Sequence, residues 1–223
     1  AGNYVGSTGQ TSQTECAAGT YQASTGQSSC TDASAGHYVD STAQTAQTAC
    51  LAGTYQSATG QSTCIDADAG YYIDAGGSSD QIPCALGTYQ PDAGQTSCLD
   101  ADPGYYVDST TQTSQTECAA GTYQASTGQS SCIDADAGYY VGSTGQSSQT
   151  ACAAGTYQAS TGQSSCTDAD AGNYVGSTGQ TTQTACLAGT YQPDTGQSSC
   201  IDADAGNYVD TNASTTQTAC LAG

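Results

Sequence analysis

The chain has 223 residues, 20 acidic residues and no Lys or Arg, so its formal net charge is −20. Ser and Thr together make 62 residues, while Leu, Ile, Val and Phe together make 16, which by composition alone points to disorder. Without cations, nucleic-acid binding and a polybasic lipid-binding surface are excluded, and no apolar run approaches the roughly 20 residues of a membrane helix.

Thirteen cysteines argue against disorder. From Cys16 to Cys220 their spacing alternates between 14 and 20 residues, a strict period of 34. Such a period marks a repeat architecture in which each unit buries its face against its neighbours. Along the chain this gives a partial, bridgeless repeat at 1–15, followed by repeats at 16–49, 50–83, 84–117, 118–151, 152–185 and 186–219, and the start of another at 220–223. With no initiator Met and no leader, the chain reads as a mature or excised segment of something longer.

Each repeat is a doubled module of 17 residues. When the half beginning at Cys118 is laid on the half beginning at Ala135, Gly121 falls on Gly138, Tyr123 on Tyr140 and Ser126-Thr127-Gly128-Gln129 on Ser143-Thr144-Gly145-Gln146. Cys118 then falls on Ala135 and Cys132 on Gln149. Two cysteines lost together are the two ends of one bond, because losing one alone leaves a reactive thiol. The expected bridges are therefore Cys16–Cys30, Cys50–Cys64, Cys84–Cys98, Cys118–Cys132, Cys152–Cys166 and Cys186–Cys200, with Cys220 unpaired in this segment. A competing scheme across the 20-residue gaps orphans Cys16 instead. Each bridge over 14 residues is worth about 3 kcal/mol by the chain-entropy argument. Such bridges place the chain outside the reducing cytosol, extracellular or on a cell surface. Structural zinc is set aside because close cysteine pairs are absent and there is one His.

The pattern C-x-x-G-T-Y-x-x-x-x-G-x-x-x-C, carried by Cys16, Gly19, Thr20, Tyr21, Gly26 and Cys30 and their equivalents, resembles the ephrin-receptor-like cysteine-rich repeat. That resemblance implies an extracellular tandem array and no particular ligand. It departs from the family at Thr31-Asp32-Ala33, where a further cysteine normally follows the closing one, so the family's wiring does not carry over beyond the 14-residue loop.

Gly-Thr-Tyr-Gln at 19–22, and the Tyr-Val or Tyr-Ile of the bridgeless halves, are short β-prone runs, and Thr-Gly-Gln steps such as 25–27 are turns. No helical period is present. The expected fold is all-β to irregular, with two very short strands or one hairpin per module, stacked into an elongated rod or solenoid. Tyr21, Tyr38, Tyr55 and Tyr72 are 17 apart, a spacing suited to an aromatic spine. Gln22 and Gln27 recur as candidates either for amide bonds along the stack or for a solvated polar face.

The carboxylates cluster as Asp66/Asp68, Asp100/Asp102, Asp134/Asp136, Asp168/Asp170 and Asp202/Asp204, with Asp74, Asp108 and Asp210 eight residues after the first of three pairs. Alternating Asp before Gly can bring oxygens around Ca²⁺, and the alternative is solvated turn carboxylates. No other cofactor is expected. A glycosidase pair is built once rather than repeated, His37 stands where other units have Asn or Tyr and reads as exposed, and no Ser/His/Asp grouping recurs. An enzyme is therefore not expected. Asn212-Ala213-Ser214 is the one N-glycosylation sequon, and runs such as 178–184 suit O-linked sugars.

The expected function is structural, a segment of an extracellular fibril, filament or stalk that is glycosylated and associates with itself. The alternative is the stalk of a calcium-dependent adhesin or receptor ectodomain. An ice-binding array is disfavoured because Thr gives way too often to Ser, Ala or Gly.

Overall fold

The computed structural model describes residues 1–221, so positions 222–223 of the terminal 220–223 segment lie outside it. Among the described residues there is no helix, and the strands form thirteen two-stranded antiparallel hairpins. The first hairpin pairs β1 (Asn3–Tyr4) with β2 (Thr14–Glu15), and the second pairs β3 (Thr20–Tyr21) with β4 (Thr31–Asp32). The same pairing recurs at every 17-residue step to Asn207–Tyr208 with Thr218–Ala219.

Local chemistry explains why each strand is two residues long. In β3, Thr and Tyr are strand formers, and Gly19 immediately before them has a φ of 88°. The turn into the strand is closed twice on the Ala17 carbonyl, by the Thr20 N–H at 3.0 Å and by the Thr20 hydroxyl at 2.8 Å. After Tyr21 the chain leaves for a long loop and returns at Thr31, opposite Tyr21.

The chain forms two compact units, Ala1–Ala101 with Val107–Gln115, and Asp102–Tyr106 with Thr116–Gly223. Within the first unit, successive hairpins are joined by main-chain hydrogen bonds: Gly19 N–H to Val39 O at 2.8 Å, Gln22 N–H to Gln44 O at 3.0 Å and Ala43 N–H to Cys16 O at 2.9 Å. Within the second unit the equivalent bonds are Gly121 N–H to Val141 O at 2.8 Å, Gln124 N–H to Gln146 O at 3.1 Å and Gly145 N–H to Cys118 O at 2.9 Å. Within each unit stacking is thus carried by the backbone, whatever the side chains of the module.

Two columns of buried residues run through each unit. One alternates Cys and Ala: Cys16, Ala33, Cys50, Ala67, Cys84 and Ala101 in the first unit are all 0–1% exposed. The other alternates Gln with Val or Ile, as in Gln22, Val39, Gln56, Ile73 and Gln90. The tyrosines recur at every 17-residue step on the first strand of each hairpin. They stay half-buried on the strands, with Tyr208 exposed. Gln22 departs from both sequence-level options. It is buried, but its amide bonds inside its own loop, donating to Ser29 O at 2.8 Å and accepting from Ser24 N–H at 3.0 Å. Gln61, an equivalent of Gln27, likewise bonds locally, to Thr59 O at 3.1 Å. No buried side-chain polar atom among the described residues lacks a partner, as expected when an unmade buried bond costs about 1–3 kcal/mol.

Candidate functional site

Two devices alternate along the chain, each closing the loop of one hairpin. In the cysteine-bearing halves the structure bridges Cys16–Cys30, Cys50–Cys64, Cys84–Cys98, Cys118–Cys132, Cys152–Cys166 and Cys186–Cys200, with Cα separations of 5.7–5.8 Å. Cys220 is free and exposed.

In five of the other halves the glutamine standing in place of the second cysteine is seen to close the loop. Gln149 accepts the Asp136 N–H through Oε1 at 2.6 Å and donates Nε2 to Asp136 Oδ2 at 2.6 Å. Gln183 does the same to Asp170 at 2.6 and 2.6 Å, and Gln81 to Asp68 at 2.8 and 2.7 Å. Gln217 accepts the Asp204 N–H at 2.7 Å and donates to its carboxylate. In the first full repeat Ser34 replaces the aspartate, and Gln47 still accepts its N–H and donates to its hydroxyl, both at 2.8 Å. Sequence reasoning missed this clamp. Its signal was present, because Gln occupies the second-cysteine position in every bridgeless half.

The second aspartates of the Asp-x-Asp motif, Asp68, Asp136, Asp170 and Asp204, are acceptors for glutamine. The first ones, Asp66, Asp100, Asp134, Asp168 and Asp202, lie on strands as neighbours of Thr54, Thr88, Thr122, Thr156 and Thr190. Asp66, Asp134 and Asp168 stand beside the loop glycines Gly94, Gly162 and Gly196 of a later hairpin. Asp102 accepts the Tyr105 N–H at its carbonyl at 3.0 Å. Asp74 and Asp210 are exposed, and Asp108 accepts the Ser109 hydroxyl at 3.2 Å. Among the described residues no three His, Cys, Asp or Glu side chains come together in a group able to hold a metal ion. The motif is spread across a strand and a turn rather than gathered around one point.

Glu117 is a further organised carboxylate. It accepts the Thr144 hydroxyl at 2.6 Å and the Tyr105 hydroxyl at 3.3 Å. Its charge is the main reason the Tyr105 phenol is raised above its ordinary range, with desolvation, the hydrogen bond and Asp102 adding to it. His37 is half-buried rather than exposed, its Nδ1 3.3 Å from Ala35 O and 3.5 Å from Ser34 Oγ. Asn212 is exposed and accepts the Ala188 N–H at 3.0 Å through Oδ1.

A shallow apolar groove recurs beside the disulfides. That next to Tyr174 is about 410 Å³ and lined by Leu187, Thr190, Ser199 and Cys200 among others, and that next to Tyr140 is about 470 Å³ and built from the equivalent residues. Smaller grooves of about 290 and 270 Å³ lie beside Tyr38 and Tyr72.

These features define a cysteine-rich, all-β tandem-repeat protein with six disulfide pairs in 34-residue units. No protein-family model matches the chain, and no curated protein matches it. Its likeness to ephrin-receptor-like repeats is therefore one of cysteine and glycine spacing. The bridges fit a secreted or extracellular protein, and no helix among the described residues is long and apolar enough to cross a membrane.

Proposed function

We propose that the chain is a structural segment of an extracellular or cell-surface fibril, filament or stalk, glycosylated on exposed side chains and assembling with copies of itself. The observation that carries this reading is the sameness of the units. Every half-module repeats one hairpin and, within each unit, one set of main-chain bonds to the next, so the repeat sets length and stiffness. A specific ligand site needs a unit that differs. The loops offer many exposed hydroxyls for O-linked sugar, whereas the strand threonines Thr20, Thr54, Thr88, Thr122, Thr156 and Thr190 are committed to carbonyls at 2.8–2.9 Å. Asn212 keeps Nδ2 uncommitted among the described residues and is the site for an N-glycan. With no cation in the chain, copies meet through neutral surface, sugar or bound counter-ions rather than salt bridges. Negative-stain imaging of native material, with intact-mass measurement before and after deglycosylation, tests this. Filaments and a mass drop are expected, and single-chain particles at every concentration would falsify the assembly.

A further inference from the structure

The two ends of each bridge face solvent unequally, the opening cysteine buried and the closing one half-buried. The opening cysteines Cys152 and Cys186 are 0% and 1% exposed, whereas their closing partners Cys166 and Cys200 are half-buried and line the grooves beside Tyr140 and Tyr174. Thiol–disulfide exchange starts with a thiolate attacking one sulfur and expelling the other, so the accessible sulfur decides where it begins. A withdrawn thiolate is a poor leaving group because burial disfavours its charge. That slows exchange and favours reclosure, but it does not redirect attack to a sulfur that no reagent can reach.

We propose that these two grooves are entry sites for small neutral thiols, which form mixed disulfides on Cys166 and Cys200. The thiolate electron pair forms a new S–S bond to the closing Sγ and the intrachain S–S bond breaks. Its electron pair leaves on the opening cysteine sulfur, which takes a proton from water. Groove charge sets which bridges an anionic thiol reaches. Asp40 lines the groove beside Tyr38 and Cys64, where the grooves beside Tyr140 and Tyr174 have Gly142 and Gly176. A Cβ on either glycine meets its tyrosine ring at 3.5 Å, so these two grooves are both uncharged and unobstructed at that point.

The test uses the intact folded chain with 2-mercaptoethanol at about pH 8, where a minor fraction of the thiol is the reactive thiolate, followed by acid quenching and peptide mapping. Adducts are expected on Cys166 and Cys200 over Cys152 and Cys186 by at least about ten-fold. Equal labelling of the two ends overturns the proposal. In a Cys220→Ser background, Cys186→Ser leaves Cys200 as a lone thiol and Cys200→Ser leaves Cys186. With the neutral disulfide 4,4′-dithiodipyridine, Cys200 is expected to react at least about ten-fold faster than Cys186, and parity counts against the site. Should either variant lose the parent far-UV spectrum, the wild-type map decides. With anionic 2-mercaptoethanesulfonate at low salt, preference for Cys200 over Cys64 is expected to grow about three-fold and to vanish at high salt. An unchanged preference removes the role of groove charge.

Discussion

Two glycines in one hairpin are there for different reasons. Gly19 has a φ of 88°, and a Cβ there would lie 2.2 Å from the Gly60 carbonyl oxygen of a later hairpin. Gly26, at the loop tip, has a φ of 73° and nothing within 4 Å of a Cβ. The loop-tip conformation in the bridgeless halves tolerates side chains, since Ala43, Thr111 and Ala213 adopt φ of 56–61°. Gly26→Ala is therefore expected to cost about 1–2 kcal/mol, the left-handed penalty alone, whereas Gly19→Ala adds a backbone clash and should cost about 3 kcal/mol or more. Denaturant unfolding of the two variants checks the order, and equal costs would show that the close approach is unimportant. Tyr105 supplies a second residue-level test. Its phenol is raised above the ordinary tyrosine range, chiefly by Glu117, so the folded state holds that proton more tightly than the unfolded chain. The associated stability is fully present below the ordinary tyrosine range and is lost as pH rises through the raised value. Spectroscopic titration should find Tyr105 ionising above the ordinary tyrosine range, and Glu117→Gln should bring it down. No change in the variant would remove Glu117 as the cause.

At the scale of the hairpin, a disulfide and a glutamine clamp do the same work by different chemistry. The bridge constrains the unfolded chain as well as the folded one, worth about 3 kcal/mol for a loop of this size. The clamp consists of two exposed bonds, one from a backbone N–H to the glutamine carbonyl and one from the glutamine amide to a carboxylate, each worth about 1 kcal/mol net. If the two devices are interchangeable, Ala135→Cys with Gln149→Cys should close a further bridge in place of the clamp to Asp136. The expected outcome is no new free thiol in a thiol assay and a stability gain of about 1–3 kcal/mol after the clamp is subtracted. Two free thiols and lower stability would show that the bridgeless hairpin holds its ends in a different geometry.

Across the molecule, the charge of −20 has no internal cation to oppose it. Folding therefore brings like charges together, a cost that salt reduces as the screening length falls from about 30 Å at 0.01 M to about 8 Å at 0.15 M. The melting temperature is expected to rise with NaCl by at least about 3 °C over that range. A chelator at constant ionic strength is expected to leave it unchanged, because the Asp-x-Asp carboxylates serve the clamps and strands. A drop on chelation that calcium restores would assign these residues to metal binding.

The period of 34, the 17-residue half-module and the bridge between Cys118 and Cys132 were legible in the chain because covalent chemistry leaves its mark on residue type. The pair missing together at Ala135 and Gln149 identified the two ends of one bond. Short strands were legible too, since Gly-Thr-Tyr states its own local preference. What Gln149 does could not be read, because an amide is as much at home in water as on a carboxylate, and only the folded hairpin brings Asp136 within reach. The two buried columns were hidden for a similar reason. Ala33 and Val39 look like scattered small apolar residues until main-chain bonds between hairpins align them with Cys16 and Gln22. Composition without cations or large aliphatics excluded a conventional core, and covalent spacing determined the repeat. Which side chains are buried, and which carboxylates are tied up, was decided by the stacking of one backbone on the next, a contact between residues about 20 apart that no local pattern encodes.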